Sequence, residues 1–258
     1  MSFLRLLSTD FDGTLIAHPS DGRCSPAFAG VLNRHRQAGG LWAINTGRGL
    51  EHAIEGIGMF CAPYEPDYLL TNEREIFLRT GEGAWEPDRP WNDLCRDRHD
   101  ELFSRAGGIF ARIGELASGS SDVTLIEEND RLVGLVTSSE TIMEEVAGFI
   151  DRETVHLPDF SYQRNTVYLR FCHRDYHKGA ALGELCRSLT IRPGEVFAAG
   201  DHFNDLSMLD GRFATFPCCP SNAIAEVKSV VQTAGGYVAS QVAADGVAEA
   251  WCFFTDRP

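Results

Sequence analysis

Phe3-Leu4-Arg5-Leu6-Leu7-Ser8-Thr9 runs directly into Asp10-Phe11-Asp12-Gly13-Thr14, and this junction decides the fold. A short apolar run halted by an acidic, glycine-containing turn reads as a buried strand ending in a functional loop. Outward from it, Pro26 to Gln37 carries Phe28, Val31 and Leu32 at helical spacing and closes on Ala38-Gly39-Gly40. Leu41 to Asn45 is a second apolar strand broken at Thr46-Gly47, Leu50 to Met59 reads as helix, and Tyr68 to Leu78 as extended chain. Strand, helix, strand, helix in this rhythm predicts a parallel sheet with crossover helices.

Between Thr80 and Cys172 the rhythm changes. Trp91 to Leu116 is long, charged and helical, with an interruption expected at Gly107-Gly108. Val123 to Ile126 and Leu132 to Thr137 flank the turn-forming Glu128-Asn129-Asp130. Thr141 to Ile150 is an amphipathic helix with Ser138 or Ser139 as N-cap, and Thr154 to Leu157 and Thr166 to Phe171 read as extended. After Lys178 the first rhythm returns: helix from Gly179 to Leu189, strand at Val196 to Ala199, turn at Gly200-Asp201, helix from Leu206 to Leu209 and strand at Ala214 to Phe216. Helices follow at Asn222 to Val231 and Gly246 to Phe253, the last with Asp245 as N-cap. The expected fold is α/β: a Rossmann-like parallel-sheet core built from residues 1–80 and 173–258, with an inserted α+β domain over 81–172.

The chain has 258 residues, 43% of them hydrophobic, enough for an ordinary core and too many for a disordered chain. With 23 basic against 37 acidic side chains the formal charge is −14, which argues against nucleic-acid or anionic-membrane partners, since both demand a basic surface. An anionic small substrate is compatible if cations or a metal are fixed locally. The eight cysteines form no CxxC pair and read as reduced thiols, and no stretch has the length of a signal or membrane segment. A cytoplasmic monomer or small homo-oligomer is the expectation.

Asp10 and Asp12 stand two apart at a strand end, where sites form in open parallel sheets. Two carboxylates this close repel unless a cation lies between them, and magnesium favours a few carboxylates with water and phosphate. Alone, Asp-x-Asp-Gly is also ordinary loop composition, an acidic turn or an Asx cap. Three further stretches favour a site. Thr46-Gly47-Arg48 offers a hydroxyl, backbone N–H groups and a guanidinium; Lys178-Gly179 puts an ammonium at a helix N-terminus; Gly200-Asp201-His202-Phe203-Asn204-Asp205 adds two carboxylates and an amide.

These stretches resemble the haloacid dehalogenase-like phosphatases, in the division whose cap domain is inserted between the second and third motifs. Asp10-Phe11-Asp12-Gly13-Thr14-Leu15 is similar to the first motif and Thr46-Gly47-Arg48 to the second. Lys178-Gly179-x-Ala181-Leu182 is similar to the third, and Gly200-Asp201-x-x-Asn204-Asp205 to the fourth. Asn222-Ala223 and Asp245-Gly246-Val247-Ala248 resemble two later signatures of the group. The resemblance implies Asp10 as nucleophile, Asp12 as general acid and then base, and Mg2+ held by Asp10, the Asp12 carbonyl and Asp201, with Asp205 in support or paired to Lys178. Thr46, Gly47, Lys178 and Asn204 would hold the phosphoryl group, with Arg48, Tyr162 and Arg164 toward the substrate.

Asn72-Glu73-Arg74 departs from the Asn-Gly-Ala of many sugar-phosphatase relatives, is closer to sucrose-phosphate-phosphatase-like members, and lacks a glycine that would permit positive φ. His173 and His177 beside Cys172 carry an alternative zinc reading against a solvated or substrate-facing loop, and His202 reads as packing. Cys218-Cys219 reads as core, while Trp85 and Trp91 are weighed as cap residues facing substrate against ordinary packing. The expected activity is hydrolysis of a small phosphorylated metabolite, a sugar phosphate foremost. The rivals are a phosphomutase on the same fold and a non-catalytic phosphometabolite binder.

Overall fold

A computed structural model describes residues 4–17 and 22–256. Phe3, the expected start of the first strand, lies outside the described residues. In chain order the elements are β1 (Leu6–Thr9), α1 (Pro26–Gln37), β2 (Leu41–Asn45), α2 (Leu50–Phe60), β3 (Tyr68–Thr71), β4 (Glu75–Arg79) and β5 (Trp85–Pro87). Then come α3 (Arg89–Arg105), α4 (Gly107–Ser118), β6 (Val123–Glu128), β7 (Arg131–Thr137), α5 (Glu140–Thr154), β8 (Phe160–Asn165) and β9 (Tyr168–His173). The chain closes with α6 (Lys178–Ser188), β10 (Val196–Ala199), α7 (Leu206–Leu209), β11 (Phe216–Cys219), α8 (Ala225–Thr233), β12 (Tyr237–Val238) and α9 (Ala243–Thr255).

Two compact units result, Met1–Asn92 with Lys178–Pro258, and Asp93–His177. The first holds an eight-stranded sheet in the order β12-β11-β10-β1-β2-β3-β4-β5, parallel from β12 to β3 and antiparallel at β4 and β5. β1 is buried on both faces: Leu7 joins one apolar cluster with Phe28, Trp42 and Phe60, and Leu6 joins the other with Leu182, Val196 and Met208. Such double burial explains the unbroken apolar run of the sequence. α1 starts where Ser25 Oγ accepts from the Phe28 N–H at 3.2 Å, with Pro26 in its first turn. The second unit is a four-stranded antiparallel sheet, β6-β7-β9-β8, whose apolar side packs with α3, α4 and α5 through Leu102, Ile113, Met143, Ile150 and Phe171.

Several expectations are corrected. The unit boundaries fall at 92/93 and 177/178, not 80/81 and 172/173, because β5 pairs with β4 and so extends the core sheet. Tyr68 to Leu78 is two strands, not one, folded back at Asn72-Glu73-Arg74. Thr154 to Leu157 is the end of α5 and a turn in which the Leu157 N–H donates to Thr154 O, while β8 had no apolar signature to mark it. The strand expected at Ala214 to Phe216 is β11, begun at Phe216 where it pairs with Phe197. α9 starts at Ala243 after Val242, with Asp245 in its first turn instead of capping it. Among the described residues no helix is long and apolar enough to cross a membrane.

Candidate active site

β1, β2 and β10 run parallel in a register that aligns Thr9 with Ile44 and Ala199, so the chain leaves all three strands at the same, carboxyl end of the sheet. The Asp10 N–H donates to Ala199 O at 2.8 Å, and the Thr46 N–H to Leu70 O at 2.8 Å. These bonds carry the sheet ladder one residue past the strands and fix where the loop side chains start. Lys178 opens α6 beside them, its carbonyl accepting from Asn45 Nδ2 at 2.9 Å. Asp10, Thr46, Lys178, Asp201, Asn204 and Asp205 are all buried.

The charges converge. Lys178 Nζ donates to Asp10 Oδ1 at 2.6 Å and to Asp205 Oδ1 at 2.7 Å, and its side chain is fully buried. Burial alone would weaken that ammonium, but Asp10, Asp205 and Glu73 hold it charged, above its ordinary range. Asp205 Oδ2 accepts from the N–H groups of Asp201 (2.8 Å) and His202 (3.0 Å). Asp205 thus serves first as the Lys178 counter-ion and as a brace for its own loop. Carboxylate oxygens of Asp10, Asp201 and Asp205 lie within 4.8 Å of one another. Burial, then the Asp205 charge, pushes Asp10 well above the usual carboxylate range, Lys178 opposing; the same two causes bring Asp201 to about 7. One ammonium cannot balance three buried carboxylates. The surplus of hard oxygen donors fits a hard divalent cation, which would relieve the repulsion.

Two local features make this packing feasible. Gly13 adopts φ +85°, and a Cβ there would stand 2.3 Å from Asp201 Oδ2, so only glycine lets the Asp10 loop approach the Asp201 carboxylate. Thr14 Oγ1 donates to Asp201 Oδ1 at 2.6 Å, while Asn222 Nδ2 donates to Gly13 O at 2.7 Å and Asn222 Oδ1 accepts from the Ala243 N–H at 2.9 Å. The Asn222 and Asp245-to-Ala248 stretches of the sequence therefore meet the first loop through one side chain and the start of α9.

Asp12 turns elsewhere. Its two oxygens accept from Arg48 Nε at 2.7 Å and Nη2 at 2.6 Å, a bidentate pair outside the carboxylate cluster, whereas the metal contact expected of Asp12 is through its backbone carbonyl, which this pairing does not involve. Arg48 lies over the Phe11 ring at 4.9 Å and reaches this position past Gly56, where a Cβ would come within 2.3 Å of its Nη1. Thr46 Oγ1 accepts from the Arg48 N–H at 3.2 Å, and Gly47 lines the same turn.

Sequence reading missed Glu73. Its buried carboxylate accepts from Asn204 Nδ2 at 2.9 Å, and burial raises it above the ordinary glutamate range against the pull of Lys178 and Asn204. The absent glycine was the available signal, because Asn72 (φ 49°) and Glu73 (φ 66°) both take the left-handed backbone that glycine would favour.

Tyr162 and Arg164 belong to the second unit. Tyr162 packs against that unit's core and is pushed up to about 12 by burial and then by Asp151; Arg164 pairs with Glu144. Trp85 and Trp91 belong to the first unit, Trp91 Nε1 donating to Arg74 O at 2.6 Å, which corrects their placing in the cap. His173 Nδ1 accepts from the Asp175 N–H and the His173 N–H donates to the His99 ring, and among the described residues the carboxylate trio alone forms a metal-capable group. His202 Nδ1 accepts from the Phe203 N–H at 2.9 Å, and Cys218 and Cys219 are buried within β11.

Comparison with known proteins agrees with this architecture. The sucrose-phosphatase of Synechocystis sp. PCC6803 superposes with a TM-score of 0.71 at 20% identity, covering 98% of both chains. A haloalkanoate dehalogenase-superfamily phosphatase of Bacteroides thetaiotaomicron gives 0.60 at 19% identity over 98% of this chain and 95% of that one. A subclass IIB sugar phosphatase gives 0.62 at 17% identity, covering 97% and 98%. The glucosylglycerol-phosphate synthase of Pseudomonas anguilliseptica is 23% identical over 249 residues, 96% of this chain and 30% of the synthase, so the chain spans under a third of that relative. The family model described as haloacid dehalogenase-like hydrolase matches residues 121–250, from within the second unit through α6 and the Asp201 loop into α9. With this match and the shared fold, the chain belongs to the haloacid dehalogenase-like hydrolases.

Proposed function

We propose that this hydrolase is a magnesium-dependent phosphomonoesterase acting on a small phosphorylated metabolite, a sugar phosphate, through an aspartyl-phosphate on Asp10. The observation that carries the reading is the buried Lys178 ammonium bound to Asp10 and Asp205 within a three-carboxylate cluster. The sucrose-phosphatase and sugar-phosphatase relatives support the sugar leaving group.

The chemistry follows from the side chains. An Asp10 carboxylate oxygen attacks phosphorus, the ester P–O bond breaks, and Asp12 protonates the departing oxygen. Water then attacks the acyl phosphate, giving its proton to Asp12; inorganic phosphate leaves and the Asp10 carboxylate is restored. Asp10, the Asp12 carbonyl and Asp201, with Asp205 beside them, would hold Mg2+, which would neutralise phosphoryl charge when bound. Lys178, Thr46, the Gly47 N–H and Asn204 hold phosphoryl oxygens as charge shifts between them. Asp12 must leave its Arg48 partner to donate a proton, since a carboxylate engaged at both oxygens only accepts.

The test is phosphate release from a panel of sugar phosphates, phosphorylated acids and nucleotides with Mg2+, on wild type and Asp10→Asn. The variant should lose about a thousandfold or more in kcat while melting no lower than wild type. Near-wild-type turnover by the variant sinks the nucleophile. An isomeric hexose phosphate in place of free phosphate identifies a mutase.

A further inference from the structure

Resting on the phosphatase reading, we propose that Glu73 is a positioning residue that sets the Asn204 amide for the phosphoryl group by locking the Thr46–Arg48 loop to the Asp201–Asp205 loop. The turn between β3 and β4 seats on the first loop by two main-chain bonds: the Asn72 N–H donates to Arg48 O at 2.9 Å and the Glu73 N–H to Thr46 O at 3.0 Å. From there the Glu73 side chain passes Gly47, whose ideal Cβ would lie 3.2 Å from Glu73 Oε1, and reaches Asn204 Nδ2 at 2.9 Å. Three segments far apart in sequence meet in one 4% exposed carboxylate.

The arrangement carries two costs in stability. Glu73 holds a left-handed backbone that penalises every residue but glycine. It also loses its carboxylate's hydration to burial, a cost that Lys178, Asn204 and Arg74 offset only in part and to which Asp205 adds. An outlier kept against both penalties at the rim of a reactive cluster points to a role in the site. Its chemical content is the direction of one amide. A carboxylate only accepts hydrogen bonds, so Asn204 must present Nδ2 to Glu73. Asn204 Oδ1, buried and with no hydrogen-bond partner among the described residues, is then fixed on the other side, and the second Nδ2 hydrogen stays available to an anion. Without Glu73 the amide turns freely, and its oxygen can face the phosphoryl group as readily as its nitrogen.

The experiment compares wild type, Glu73→Gln, Glu73→Ala and Glu73→Gly by three readouts: titration calorimetry of inorganic phosphate onto the Mg2+-loaded protein, thermal melting, and amide hydrogen exchange of residues 200–205 in the metal-free protein. Glu73→Gly relieves the backbone and should melt at or above wild type, yet bind phosphate about tenfold more weakly, as a lost charge-assisted hydrogen bond implies. Glu73→Ala should weaken binding equally. Glu73→Gln keeps an acceptor for Asn204 and should remain within about threefold of wild type. Exchange at residues 200–205 should quicken in the Ala and Gly variants and not in Gln. Wild-type phosphate affinity and exchange in Glu73→Gly overturn the proposal. A wild-type protein that neither binds nor releases phosphate instead overturns the phosphatase reading, and the exchange comparison still decides whether Glu73 pins the loop.

Discussion

Freed of metal, this protein should lose stability as pH rises from 5 to 8, against the usual carboxylate trend. Asp201 sits at about 7, first because it is buried and then because Asp205 repels it, while in the unfolded chain it releases its proton near 3.8. Between those values the folded state binds more protons than the unfolded one, so stability is present below the window and falls as pH climbs through it. The full displacement is worth about 4 kcal/mol, and the part above pH 5 about 3 kcal/mol, at about 1.4 kcal/mol per tenfold. Asp10 is raised by the same causes and acts in the same direction. At roughly 2–4 °C per kcal/mol for a chain of this size, the core transition should drop by about 5–10 °C from pH 5 to pH 8. Millimolar Mg2+ should restore it at pH 8 and do far less at pH 5, where protons compete for the same oxygens. The assay is calorimetry of EDTA-treated protein with and without Mg2+, with Asp201→Asn as control. That variant should show a flatter pH dependence and a weaker metal response. A metal-free melting temperature that holds or rises from pH 5 to pH 8, or equal magnesium shifts at both ends, refutes the account of the cluster.

Gly13→Ala places a methyl 2.3 Å from Asp201 Oδ2 at a φ of +85°, so it should abolish measurable activity and the magnesium-induced thermal shift together; wild-type magnesium response in this variant contradicts the described loop. Gly56→Ala sets a methyl 2.3 Å from Arg48 Nη1 and 2.9 Å from the buried Phe11 ring, so these side chains must shift, and the gain in helix propensity of about 1 kcal/mol offsets part of that cost, so melting should change by a few degrees. With Arg48 displaced, Asp12 loses its clamp and kcat should fall by about tenfold, a share of what a positioned acid contributes; unchanged kcat shows that the pairing does not orient Asp12.

Where a signal was local, the sequence carried it. The β1-to-Asp10 junction, the helix after Ser25 and the strand before Gly200 each combine an apolar run with a turn or cap chemistry that needs no distant partner. What escaped depends on tertiary contacts. The β3–β4 turn uses Asn72 and Glu73 in left-handed backbone that surrounding bonds enforce, so no glycine announced it. β8 reads Phe-Ser-Tyr-Gln-Arg-Asn and earns its place by pairing with β9, and β11 contains Pro217, which masks a strand otherwise begun by Phe216. The candidate site divides likewise. Asp10, Lys178, Asp201 and Asp205 meet as the motifs imply, whereas the Asp12–Arg48 pair and the Glu73–Asn204 bond join residues whose separate positions give no hint of contact.

The strand order has a consequence for biosynthesis. β1 lies inside the sheet, yet its neighbour β10 starts only at Val196. A ribosome adding about 5–20 residues per second needs roughly ten to forty seconds to bridge that gap. Throughout it the nascent polypeptide exposes a bare row of amide and carbonyl groups flanked by leucines, the kind of surface that invites aggregation. Yield in a heterologous host should therefore track chaperone supply, and fragments ending before Ala199 should precipitate.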